Sequence, residues 1–143
     1  MKRLSRKIEA SEQVPPRALI ATARDCLGRA YAPYSKFPVA AAVVDEDGRV
    51  FTGVNVENAS YGLTMCAERV AIFTAVAAGA KKLRALALTS KTGGTLMPCG
   101  ACRQVMAEFF EPAAPVYSDT GKDRYKTTSL RDLLPKPFGP DDL

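Results

Sequence analysis

The first sustained pattern in the chain is helical. Between Arg17 and Arg29, Leu19, Ile20, Ala23, Cys26 and Leu27 fall on one stripe, which predicts an amphipathic helix. Pro15-Pro16 marks its entrance and Tyr31-Ala32-Pro33-Tyr34 breaks it. The spacing then changes. Val39-Ala40-Ala41-Ala42-Val43-Val44 is an unbroken apolar run of small residues and reads as a buried strand. Asp45-Glu46-Asp47-Gly48 predicts a hairpin turn, with Asp-Gly supplying the backbone freedom, and Val50 to Val56 returns as the partner strand. Val70, Ile72, Phe73, Val76 and Ala77 restore a helical pattern that starts at Cys66 and stops at Gly79.

Leu83 to Thr89 reads as a third strand, and Cys102 to Phe110 as a helix with Val105, Met106, Phe109 and Phe110 at helical intervals. Pro115 to Ser118 and Arg124 to Thr127 read as short strands around Asp119-Thr120-Gly121, and Ser129 to Leu134 as a short capped helix. Strand, helix, strand, helix, strand implies parallel pairing in that stretch. The expected architecture is α/β, a five-stranded mixed sheet with helices on both faces. At 143 residues and 47% hydrophobic, the chain is most simply one domain at 14–143 behind a polar, basic arm at 1–13.

Charge changes this picture little. The net charge is +5, with Lys2, Arg3, Arg6 and Lys7 holding much of the excess. No basic stripe interleaves with aromatics, so nucleic acid is not the expected partner. No apolar run approaches the ~20 residues of a membrane span. The N-terminus has no apolar stretch behind its basic residues, so a secretory signal is not expected and a reducing cytoplasm fits the four cysteines.

The strongest chemistry lies in two short blocks, Cys66-Ala67-Glu68-Arg69 and Pro98-Cys99-Gly100-Ala101-Cys102-Arg103. Cys99 and Cys102, three apart in a first helical turn, point to one side, and Cys66 also starts a helix. Helix N-termini favour thiolate, the metal-binding form. Three thiolates predict one catalytic zinc with a fourth position left for water. The chain has no histidine, so no His-containing site is available. Three sulfurs on Zn²⁺ leave a net charge of about minus one. Arg69 or Arg103 is expected to offset it, with Arg69 preferred. Glu68 is read as a proton shuttle and not a ligand, the arrangement of zinc-dependent base deaminases. Cys26, in the first helical stripe, is either a core thiol or the fourth ligand of a closed structural site.

With Ala30 to Phe37, Gly53 to Tyr61, and Leu133-Leu134-Pro135 ahead of Phe138-Gly139-Pro140, these blocks resemble the small homotetrameric cytidine deaminases over nearly the whole chain after Val14. The resemblance implies a three-layer α/β/α fold, one Zn²⁺ per subunit and deamination of cytidine and deoxycytidine to uridine and deoxyuridine with release of ammonia. Glu68 then carries one proton from the activated water to ring N3 and, in a separate transfer, protonates the leaving amine.

Asn55 and Glu57, two apart at a strand end, point the same way and can hold a 3′-hydroxyl as donor and acceptor, or form a polar edge facing water. The resemblance assigns them to the sugar. It makes Phe37, otherwise a candidate core aromatic, a wall for the base. It brings the backbone of Ala59, Tyr61 and Ala67 to the substrate, and sends Phe138 into a neighbouring subunit's site. A deaminase of another aminopyrimidine nucleoside such as blasticidin S shares the zinc blocks but not the Asn-Val-Glu-Asn segment. A non-enzymatic structural-zinc module is the other alternative. One departure stands out: Ala40 replaces the family's usual glycine, and its extra methyl is expected to narrow packing near the pocket.

Overall fold

A computed structural model describes residues 14–143; the basic arm at 1–13 lies outside them. Helix α1 (Pro16–Cys26) starts on a proline, whose missing N–H costs nothing in the first turn, and buries Leu19, Ile20, Ala23 and Cys26. Its winding tightens to a 3-10 turn over Leu27–Arg29. Strands β1 (Val39–Asp45) and β2 (Val50–Val54) form an antiparallel hairpin with Val44 opposite Val50 and Ala40 opposite Val54. Gly48 closes the turn at φ +81°, a left-handed conformation that suits glycine. β2 stops at Val54, short of the expected Val56. Beyond it the backbone leaves the ladder, Val56 pairing with Met65 and Asn55 O accepting from Tyr31 N at 3.0 Å.

Strands β3 (Leu83–Ser90), β4 (Pro115–Gly121) and β5 (Arg124–Ser129) complete one sheet in the order β2-β1-β3-β4-β5. The expected parallel pairing holds only between β3 and β4. β1 lies between β2 and β3, antiparallel to both. It is buried along its whole length, as a central strand covered on both faces must be. β4 and β5 are longer than expected. Their hairpin turns on Lys122 and Asp123, at φ +53° and +56°, so the ladder reaches Gly121.

Alternation along β1 sorts the core into two layers. Ala40, Ala42 and Val44 pack with Ala85 and Ala87 under α1. Val39, Ala41 and Val43 pack with Leu86, Leu88 and Val116 under α2 (Ala67–Ala77) and α3 (Gly100–Phe109). This is the three-layer α/β/α architecture. Ala40 therefore belongs to the α1 side of the sheet. Its methyl does not narrow the pocket, which opens on the other face, contrary to the expectation from sequence. The short helix α4 (Leu130–Leu133) is capped as expected, Ser129 Oγ accepting from Asp132 N at 3.2 Å.

One glycine sets how close α2 lies to the sheet. A Cβ on Gly53 would sit 2.3 Å from Ala71 N and 2.5 Å from Ala67 O, both backbone atoms of α2. Only a residue without a side chain lets helix and strand meet this closely.

Candidate active site

α2 follows β2, and α3 follows β3, so both helices begin at the same end of the sheet. Cys66 is the N-cap of α2 and Cys99 the N-cap of α3. Both have extended backbone, and neither uses its side chain to cap its helix. Cys102 follows in the first turn of α3 and is fully buried. α3 begins at Gly100, two residues earlier than the apolar spacing indicated. The Cys66 and Cys99 sulfurs are 3.8 Å apart and those of Cys99 and Cys102 3.6 Å. Two sulfurs bound to one tetrahedral zinc at ~2.3 Å each would be about 3.8 Å apart. The trio fits that ion without rearrangement, and it is the one such cluster among the described residues. Cys26 is the last residue of α1, its Sγ 3.3 Å from Ala23 O, on the opposite face of the sheet. Three ligands, not four, leave a corner open.

The electrostatics of the trio single out Cys66 as the thiolate. The hydrogen bond from Cys102 and then the Arg69 guanidinium pull the Cys66 thiol down to about 5. The same contact with Cys66, then burial, pushes the Cys102 thiol upward. Arg69 Nη2 donates to Cys66 Sγ at 3.4 Å, and its Nε is buried without a hydrogen-bond partner among the described residues. Arg103 is engaged elsewhere, donating through Nε to Pro98 O at 2.7 Å and through Nη1 to Leu133 O at 2.9 Å. It braces the loop before α3 and makes no thiolate contact. Glu68, in the first turn of α2, is only 5% exposed, and burial raises its carboxyl to about 7. A carboxyl in that range can take and return a proton near neutrality.

A cavity of about 260 Å³ joins these groups to the predicted sugar and base contacts. Cys66, Cys99, Ala67 and Glu68 line it together with Phe37, Asn55 and Glu57. Glu57 Oε1 accepts from the backbone of Tyr34 and Ser35 at 2.9 and 3.1 Å. Hydrogen bonding from Ser35 is the chief reason that its carboxyl lies below the usual range. Asn55 is already half committed: Oδ1 accepts from Val39 N and Nδ2 donates to Phe37 O, each at 2.9 Å. One N–H and one lone pair of its carboxamide remain.

Three of the predicted substrate contacts lie outside this cavity. Tyr61 lines an adjoining hollow with Tyr34, Ser35, Glu57 and Thr64. Ala59 is exposed and lines neither space. Phe138 is 60% exposed, its carbonyl held by Gln104 Nε2 at 2.9 Å. Sequence reasoning missed Leu96 and Met97, which form part of the cavity wall. Two large apolar residues in a glycine-containing loop just before Pro98 were the available signal.

The chain matches over residues 15–117 the model of the family described as cytidine and deoxycytidylate deaminase zinc-binding region. It is 47% identical to the cytidine deaminase of Sporosarcina psychrophila over 125 residues, 87% of this chain and 92% of that protein. It is likewise 47% identical to a cytidine deaminase of Mycobacterium tuberculosis over 114 residues, 80% of this chain and 82% of that one. The crystal structure of cytidine deaminase from Burkholderia pseudomallei superposes with a TM-score of 0.82 at 49% identity, covering 87% of this chain and all of the other. With a zinc-sized sulfur trio beside a buried carboxyl, and these relatives along most of its length, the chain belongs to the zinc-binding cytidine and deoxycytidylate deaminase family.

Proposed function

We propose that this chain catalyses the zinc-dependent hydrolytic deamination of cytidine and deoxycytidine to uridine and deoxyuridine, releasing ammonia. The observation that supports the reading is one cavity lined by Cys66 and Cys99, the buried Glu68, the aromatic Phe37 and the polar Asn55 and Glu57. Cys66, Cys99 and Cys102 hold the zinc, which supplies acidification of a water molecule when bound. Glu68 accepts a proton from the attacking water and delivers it to ring N3; it then takes the second proton from the hydroxyl newly bonded to C4 and passes it to the amine, whose bond to C4 breaks as ammonia leaves. Arg69 offsets the thiolate charge through its contact with Cys66. Phe37 walls the base. The free oxygen of Glu57 and the remaining N–H of Asn55 hold the sugar, with the backbone of Ala59, Tyr61 and Ala67 adding contacts to sugar or base.

The enzyme works as a cytoplasmic homotetramer, with Phe138 reaching a neighbouring subunit's base site. The exposed aromatic side chains beside the cavity, Tyr34 and Tyr61 among them, support this association, because large apolar surface near a rim marks an interface. Three reduced thiols support the compartment. The test is the ultraviolet change of purified protein with cytidine, deoxycytidine and cytosine in turn. Glu68→Gln should keep zinc and lose about 10²- to 10⁴-fold in turnover. Parental rates in that variant would remove Glu68 from the mechanism.

A further inference from the structure

Phe37 occupies an awkward place in the backbone. Lys36 before it is left-handed, at φ +56°, and Pro38 after it has no N–H. A residue before proline is confined to extended conformations, and proline cannot extend a strand ladder at its own position. β1 accordingly begins only at Val39. The segment that must carry the base wall lies beyond the last regular strand pairing and needs another anchor.

Asn55 supplies it. Its backbone N donates to Val39 O at 3.1 Å, its Oδ1 accepts from Val39 N at 2.9 Å, and its Nδ2 donates to Phe37 O at 2.9 Å. The side chain stands in for the strand partner that Pro38 precludes, satisfying the groups on either side of the proline. The carboxamide is buried, so these bonds are shielded from competing water.

We infer that Asn55 is a positioning residue for the base wall, fixing Phe37 where it lines the cavity independently of any contact with the sugar. The inference rests on the proposed nucleoside deamination. It separates two services of one side chain: the remaining N–H faces the sugar, and the bonds already made hold Phe37.

The test uses 2′,3′-dideoxycytidine, which has no 3′-hydroxyl to grip, in a double-mutant cycle on the zinc-loaded enzyme. Asn55→Ala should lower kcat/KM on this substrate about tenfold or more. In the Phe37→Ala background the same change should cost almost nothing, because the wall it positions is gone. An unchanged dideoxycytidine rate in Asn55→Ala, or an equal loss in both backgrounds, would overturn the inference. Zinc content and circular dichroism of each variant guard against misfolding, and Asn55→Asp, which keeps one bond and sets a carboxylate against Phe37 O, replaces Asn55→Ala if the latter does not fold.

A readout independent of activity is available because the chain has no tryptophan. In Phe37→Trp protein, Asn55→Asp should red-shift the emission and raise acrylamide quenching; an unmoved spectrum counts against positioning. If the parent fails to deaminate cytidine, the proposed function falls, and the fluorescence pair still decides whether Asn55 holds residue 37.

Discussion

Replacing Gly53 by alanine tests how the fold holds the metal ligands. The new Cβ would meet Ala71 N at 2.3 Å, Ala67 O at 2.5 Å and Ala71 Cα at 2.9 Å. All three are backbone atoms, so no side-chain rotation relieves the overlap. Ordinary contact starts near 3.4 Å, so α2 and β2 must part by about 1 Å. The moving helix carries Cys66 at its N-cap and Glu68 in its first turn, while Cys99 and Cys102 stay with α3. Metal–ligand distances tolerate only about 0.2 Å. Zinc affinity should therefore fall by roughly 10- to 100-fold, the scale seen when ligand orientation is lost. Overpacking should cost about 1–3 kcal/mol. For a chain of this size that lowers Tm by roughly 3–10 °C. The assay is a chelator-competition zinc titration alongside thermal unfolding of the same preparation. Gly28→Ala is the control, since a Cβ there meets nothing within 4 Å. Parental zinc affinity and Tm in Gly53→Ala would refute the close-approach reasoning.

Two further changes probe the opposite face. Arg24 holds Asp119 in a two-pronged pair at 2.6 and 2.7 Å, with Thr89 Oγ1 donating at 2.7 Å and Gly121 N at 2.9 Å. These bonds, Arg24 first, lower the Asp119 carboxyl to about 2. Because the folded value is depressed, the stabilisation is complete above the unfolded value near 3.9 and is lost as pH falls through about 2; it is worth at most about 2–3 kcal/mol, less for screening of the partly exposed Arg24. Urea unfolding of parent and Asp119→Asn from pH 5 to pH 2 should show a gap that shrinks with acid, and a gap independent of pH would contradict the assignment. Cys26→Ser should keep one zinc per chain and lose about 1 kcal/mol by placing a hydroxyl in an apolar layer. Loss of zinc in that variant would restore a four-cysteine site.

The sulfur trio and the carboxyl beside it were legible because their signal is local: three cysteines, and a glutamate two residues after one of them, fixed by spacing within two helix starts. Strand order was less so, since pairing joins segments far apart in sequence. A clue was present in Val39 to Val44, whose unbroken apolar run suits a strand covered on both faces. That argues for a central place between β2 and β3 and against their direct pairing. The alternation along the same run decides that Ala40 faces α1, which a comparison of residue types at one position does not reveal. Spacing aimed Asn55 and Glu57 the same way, but it carried no information on how much of the Asn55 carboxamide the backbone of Phe37 and Val39 consumes. The contacts read for Ala59, Tyr61 and Phe138 came from resemblance and have no local pattern of their own.

The exits of β2 and β3 into α2 and α3, which deliver the sulfurs and Glu68, lie at one end of the sheet, and the β1–β2 turn and the entries into β3 and β4 lie at the other. The 46–49 turn, the 78–82 link and the 111–114 corner gather there, tied by Glu46 N to Lys82 O at 3.2 Å, Arg49 Nη1 to Ala78 O at 3.3 Å and Lys82 to Glu111 at 3.9 Å. That end is where a fluorophore, an immobilisation handle or an inserted partner domain can be attached, a full strand length from the reacting atoms.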